Sequence, residues 1–305
     1  MHDILIVGGG PAGLTAAVYG LRAGKTVLVI EKNGFGGQIA YSPKVENIPG
    51  TRAISGAAFA EALVEQAMDL GADVELEKVV SVNKDGDLFR VETEEGSTYE
   101  AKSVILACGV KHRMLGLPGE EELIGGGISF CAVCDGAFYA GQEVAMIGGG
   151  NSALQEALLL SEVCTKVTIV QNLAFLTGEK KLADALAEKA NVEIIYSTVV
   201  TAYHQEGGAL TGLTLKNEVS GEERFLKVDG TFLAVGLVPE NGPFEHLCDT
   251  NDWGYFDASE DCMTKTPGVF VAGDCRSKRI RQVTTAAADG AIAAMAACHY
   301  LDGIN

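Results

Sequence analysis

The chain has 305 residues, 47% hydrophobic and 21% charged, with a formal net charge of −18. That length and apolar content suit about two packed domains and exclude a disordered chain. The acidic charge excludes a phosphate-backbone partner, and no apolar run approaches the roughly 20 residues that span a bilayer, so neither nucleic acid nor membrane is an expected partner.

The N-terminus, MHDILIVGGG, enters an apolar strand with no basic leader or cleavage site, which gives the expectation of a cytoplasmic protein. Asp3–Lys32 then reads as a strand, a glycine turn, a helix and a second strand. The first strand is apolar on both faces, as in a buried parallel sheet. Gly8, Gly10 and Gly13 form GxGxxG between strand and helix. The first glycine permits the tight turn, the second lets backbone approach a pyrophosphate, and the third lets helix pack on strand. The helix N-terminus offers free N–H groups to phosphates, and Glu31 ends the second strand where a ribose would need an acceptor.

Further along, Lys78–Val110 reads as short strands about a turn at Asp85-Gly86, ending in a strand over Ser103–Ala107. RMLGLPGEE, Arg113–Glu121, is a Gly/Pro-containing connection. Next comes CAVCDGAF, Cys131–Phe138. Two cysteines at this spacing can hold zinc, form a structural disulfide or shuttle electrons. Zinc needs four ligands, and the chain has no second CxxC and only scattered histidines. In a reducing compartment one CxxC reads as reactive, and the other six of the eight cysteines read as buried thiols.

Gln142–Asn172 repeats the opening unit with Gly148, Gly150 and Ala153 as GxGxxA. Gly8 to Glu31 and Gly148 to Gln171 are both 23 positions apart, so two mononucleotide folds are expected. GLVPENGP, Gly236–Pro243, marks a second connection, TPGVFVAGDC is a strand running into Gly273-Asp274, and Thr284–Leu301 reads as a closing helix. The expected fold is α/β, with two Rossmann-like, three-layer ββα dinucleotide-binding domains. Residues 114–240, which carry the CxxC, are inserted between 1–113 and 241–305.

These motifs resemble the low-molecular-weight thioredoxin reductases over essentially the whole chain. The resemblance rests on GGGPAG, on Gly36-Gly37-Gln38, on ENIPG from Glu46 to Gly50, on CAVCD before the second fold, on GGGNSA, and on the run from GVFVAGD to RQV. It implies FAD in the discontinuous domain, thioredoxin as partner and a homodimer. It implies that Glu31 holds the adenosine ribose and that Asn47 lies near the isoalloxazine. Gly273 and Asp274 would bind the ribityl or phosphate region, and Arg281, Gln282 and Val283 would line the ring, with the last helix aiming its positive end there. A plain N-cap is the other reading of Asp274. Cys134 would take the electron pair from the flavin and Cys131 would attack the partner disulfide. Asp135 would protonate the leaving thiolate, its other reading being a surface-turn aspartate. Cys108 reads as a small core residue.

One region departs from the pattern. In NADPH-dependent members the second fold ends in His-Arg-Arg with a further Arg four residues on. Here those positions are Gln171, Asn172, Leu173 and Thr177. The lost guanidiniums would each have given a charge-assisted bond of roughly 1.5–3 kcal/mol, and no acid replaces them for an NAD ribose. The chain thus resembles the ferredoxin-dependent branch of the family. NADPH or NADH as donor is the alternative, and a non-catalytic flavin-binding regulatory module is the alternative of another class. An acidic ferredoxin would need a positive patch, expected at Lys111, His112 and Arg113 and at Arg276, Lys278, Arg279 and Arg281.

Overall fold

The computed structural model describes residues 1–42 and 45–303. The chain opens with β1 (His2–Val7), α1 (Pro11–Arg22), β2 (Val27–Glu31), α2 (Gly56–Asp69), β3 (Asp73–Leu76), β4 (Val79–Asp85), β5 (Leu88–Thr93), β6 (Thr98–Leu106) and β7 (Val110–His112). It continues through β8 (Ile128–Ser129), α3 (Ala132–Asp135), β9 (Glu143–Ile147), α4 (Asn151–Ser161), β10 (Lys166–Val170), α5 (Lys180–Ala187) and β11 (Val192–Ile195). Then come β12 (Thr198–Glu206), β13 (Ala209–Asn217), β14 (Glu223–Lys227), β15 (Gly230–Leu233), β16 (Leu237–Pro239), β17 (Val269–Val271) and α6 (Val283–Leu301). Two compact units result: residues 1–40, 48–111 and 238–305, and residues 41–47 with 112–237.

The first unit is built on the order β3-β2-β1-β6-β5-β4, with β17 also paired to β6. Strands β3, β2, β1, β6 and β17 run parallel, whereas β4 and β5 form an antiparallel hairpin. Alternation along a strand sends successive side chains to opposite faces. Ile4, Ile6, Val27 and Val29 therefore pack with α1 and the Ala-rich face of α6, and Leu5, Val7, Leu28 and Ile30 pack with Val82, Phe89, Phe244 and Phe256. Both faces are covered, which is why these strands are apolar throughout. Strand β6 begins at Thr98, not at Ser103 as expected. Its first half pairs with the polar hairpin strand β5 and only its second half with β17, so the exposed half lacks the apolar run.

The second unit holds a parallel sheet, β11-β10-β9-β15-β8, and an antiparallel one, β12-β13-β14. Val144, Met146, Val167 and Ile169 face α4, while Ala145, Ile147, Val170 and Leu233 pack on Leu213 and Leu215 of the antiparallel sheet. Each unit is thus the α/β sandwich of helices, parallel sheet and β-layer that the repeat implies. Among the described residues no helix is long and apolar enough to cross a membrane.

Candidate functional site

The two glycine turns share one geometry. Gly8 has φ +111° and Gly148 φ +128°, and a Cβ on either would lie 2.3 Å from the Ala107 carbonyl oxygen or 2.6 Å from that of Ala234. Only glycine fits so close to the neighbouring strand. Both helices start after an extended glycine, Gly10 at φ −83° and Gly150 at φ −85°.

What differs is the residue at the end of the second strand. In the first unit Glu31 is buried and accepts from the Gly9 amide at 2.7 Å and from the Asn33 amide at 3.0 Å. Each carboxylate oxygen keeps a lone pair for a further donor. In the second unit Gln171 is buried, and its Nε2 donates to the Phe175 carbonyl at 3.0 Å. The Thr177 hydroxyl donates to the Gly149 carbonyl at 3.2 Å. The segment replacing the expected arginines is therefore tied to its own turn by neutral bonds.

The first unit has the features a flavin dinucleotide needs. Gly36 and Gly37 adopt positive φ, the Gly36 amide donates to the Gly9 carbonyl at 2.8 Å, and Gln38 lies exposed on the helical turn Gly37–Tyr41. A Cβ at Gly10 would meet nothing nearer than 3.9 Å, which leaves a ledge beside the α1 N-terminus. Gly273 and Asp274 follow β17. Asp274 Oδ1 is buried with no hydrogen-bond donor among the described residues, and Lys278 Nζ at 3.6 Å is beyond hydrogen-bond reach. Burial raises this carboxyl, against the pull of Lys278 and Arg281. A buried acceptor left bare costs about 1–3 kcal/mol, and a ligand hydroxyl would satisfy it. The N-cap reading of Asp274 fails: Gln282 caps α6 in a reciprocal box with Thr285, and Val283 is the first residue of the helix. These features fit FAD. Asn47 lies in the segment 41–47 that clusters with the second unit.

The expected basic patch does not exist as a patch. Asp289 accepts from Arg276 Nε at 3.2 Å and Nη2 at 3.0 Å, from Lys278 Nζ at 3.0 Å, and from the Gly273 amide at 3.0 Å. Arg281 donates to the Asp274 carbonyl at 3.2 Å and lies 4.2 Å over the Tyr255 ring. Lys111 pairs with Glu240 at 2.8 Å, and burial against the stacked Phe130 ring lowers His112 to about 4, so it is neutral. Only Arg113 and Arg279 remain exposed without these ties. The charges were grouped by sequence proximity, and Asp289 on α6 ties up two of them, Arg276 and Lys278.

In the second unit Cys131 and Cys134 form a disulfide with Cα atoms 5.3 Å apart, and no metal-binding cluster exists among the described residues. Cys131 is the N-cap of the four-residue α3, and its sulfur accepts from the Cys134 amide at 3.2 Å. Both cysteines are half-buried and Val133 between them is exposed. Asp135 is no surface-turn residue: it accepts from the Ser129 hydroxyl at 2.6 Å and the Ser42 hydroxyl at 3.2 Å, and burial raises its pKa. Of the other cysteines, five are buried and Cys108 is half-buried, with burial holding its thiol well above the ordinary range.

Sequence reasoning missed Glu156. It lies on α4 and accepts from the Ala132 amide at 3.0 Å. Burial pushes it up to about 7, and Asp135 adds to the effect. A signal was available, because Glu156 stands on the apolar stripe of Ala153, Ala157 and Leu160, where an acid has no solvent reason to be.

Residues 2–290 match the pyridine nucleotide-disulphide oxidoreductase family. The chain is 40% identical over 305 residues to the thioredoxin reductase of Bacillus subtilis (strain 168), covering 100% of this chain and 96% of that protein. It is 39% identical over 305 residues to that of Treponema pallidum (strain Nichols), covering 98% of the relative. The crystal structure of thioredoxin reductase from Streptococcus pyogenes MGAS5005 superposes with a TM-score of 0.92 at 38% identity, covering 100% of this chain and 99% of that one. The chain belongs to the pyridine nucleotide-disulphide oxidoreductase family and, within it, to the FAD-binding disulfide reductases of the low-molecular-weight thioredoxin reductase type.

Proposed function

We propose that this chain reduces the disulfide of a thioredoxin or thioredoxin-like protein through Cys131 and Cys134, and that reduced ferredoxin supplies the electrons. FAD, when bound, supplies the electron pair to the disulfide. Cys134 would receive it, which would free Cys131 as the thiolate that attacks the partner's disulfide, and Cys134 would then attack the mixed disulfide, reforming the Cys131–Cys134 bond and releasing the reduced partner. Asp135, raised by burial, is the acid that protonates the departing sulfur. On the FAD side Glu31 would accept from the ribose, Asp274 would accept from a ligand hydroxyl, and the α1 amides would hold the pyrophosphate. The working form is a homodimer.

The donor assignment rests on Gln171. Its amide is spent on the Phe175 carbonyl, and Asn172, Leu173 and Thr177 offer no positive charge to a 2′-phosphate. Losing even two charge-assisted bonds costs two or more decades of nucleotide affinity. Ferredoxin carries one electron at a time and would dock twice per cycle. The exposed Arg279 of the first unit is a charge left to receive it.

A second reading, with NADPH or NADH as donor, is favoured by the intact Gly148–Gly150 turn, which keeps a phosphate-binding backbone. Anaerobic bleaching of the flavin separates the two. Reduced ferredoxin should bleach it within a turnover time and micromolar NADPH should not. Fast bleaching by NADPH would show that the missing arginines do not matter.

A further inference from the structure

We infer that Glu156 is a proton-holding positioning residue for the Cys131–Cys134 couple, taking up a proton when the disulfide opens. The inference rests on the redox reading of that pair.

The geometry carries it. Glu156 Oε2 is bound by the amide of Ala132, the residue next to Cys131, so the carboxyl touches the first turn of α3 and not the sulfurs themselves. The same turn closes on Cys131, whose sulfur accepts from the Cys134 amide. Two acids thus bracket the pair, and their surroundings differ. Asp135 has two hydroxyl donors, Ser129 and Ser42, which favour its charged form. Glu156 has one amide donor and the charge of Asp135 nearby. Burial raises both carboxyls, and Glu156, with its single amide donor, is raised to about 7 and is the one placed to take up a proton near neutral pH. A neutral carboxyl still accepts the Ala132 amide through its carbonyl oxygen, so protonation leaves α3 anchored.

Besides the Cys131–Cys134 pair, the other ionisable groups on the surrounding elements are Asp135 on α3, Tyr139 just after it, and Cys164 just after α4. Lys180, Lys181 and Asp184 lie on α5, and Glu143 and Lys166 on β9 and β10. Among all these only Asp135 acts on Glu156 by charge.

Opening the disulfide consumes two electrons, breaks the S–S bond and gives one thiol and one thiolate, using one proton. The new thiolate is a like charge one residue from the Ala132 amide, and it raises Glu156 further. From about pH 7 upward Glu156 is ionised beside the disulfide and takes a second proton from solvent when the thiolate appears. The thiolate charge is thereby offset by the proton that Glu156 takes up.

The test is the potential of the couple against pH. The holoenzyme is equilibrated in dithiothreitol redox buffers between about pH 6 and 9, and the peptide carrying Cys131 and Cys134 is trapped by alkylation and weighed. With one extra proton per two electrons, each pH unit above 7 changes the reduced-to-oxidised ratio by a further tenfold, about 30 mV for this couple. Glu156→Gln should lose that extra slope and Glu156→Asp should keep part of it. Parallel wild-type and Glu156→Gln lines overturn the inference. If Glu156→Gln does not fold, the infrared difference spectrum of Asp135→Asn protein decides. A protonated-carboxyl band gained on reduction at about pH 8 supports the role of Glu156, and its absence refutes it. A disulfide that dithiothreitol cannot open at any pH would sink the redox reading of the pair itself, a result distinct from a pH-independent potential.

Discussion

Glu31 and Gln171 stand at the same position of two copies of one fold, and their side chains work in opposite senses. Glu31 accepts from the Gly9 amide, whereas Gln171 donates to the Phe175 carbonyl. The first copy keeps a buried carboxylate there, accepting from the Gly9 and Asn33 amides. The second has turned the same position into a loop fastener.

Replacing Glu31 with Ala should weaken FAD binding by at least tenfold. A charge-assisted bond to the ribose is worth about 1.5–3 kcal/mol, and the Gly9 amide would also lose its partner. Fluorescence titration of the deflavinated protein reads the loss. The Cys131–Cys134 disulfide should form as in the wild type.

The two cysteines should separate by trapping. Cys134→Ser leaves Cys131 free to hold thioredoxin as a stable mixed disulfide, visible by mass. Cys131→Ser should trap none while its remaining thiolate perturbs the flavin spectrum. Exchanged behaviour would reverse the assigned roles, and turnover should vanish in both.

Asp289→Ala should cost about 3–5 kcal/mol in urea unfolding, because it leaves Arg276 and Lys278 buried without their shared partner. For the same reason, charge reversal at Lys278 reports on folding and not on ferredoxin docking. Reversal at the exposed Arg279 is the informative change, and it should slow ferredoxin-driven reduction and weaken its salt dependence.

His112 sets a limit on the acid side. Its folded pKa, about 4, lies below the ordinary 6.5 because burial disfavours the charged ring. The folded state therefore binds fewer protons than the unfolded chain between these values. Stability from this group is complete above about pH 6.5 and is lost as pH falls through 4. His112→Phe should flatten that part of the stability curve, measured by denaturant unfolding at stepped pH.

The parts legible in the sequence were those with a fixed local period or spacing. The glycine turns, the apolar strands and the CxxC each declare themselves within a few residues. Helix α6 was expected over Thr284–Leu301 and spans Val283–Leu301. What the sequence hid depends on which distant groups meet. Asp289, on the closing helix, pairs with Arg276 and Lys278, so two of the four cations in a run that read as a basic surface are tied into an internal ion-pair hub. Glu156 is separated from Ala132 by 24 positions, and no motif links them. Ser42 reaches Asp135 across 93 positions and is equally silent in one dimension.

The most direct test is steady-state reduction of thioredoxin by the intact holoenzyme with each donor in turn. The account predicts turnover with reduced ferredoxin, its loss in Cys131→Ser and Cys134→Ser, and little or none with micromolar NADPH or NADH. Rapid NADPH-driven turnover, with ferredoxin inert, would contradict it.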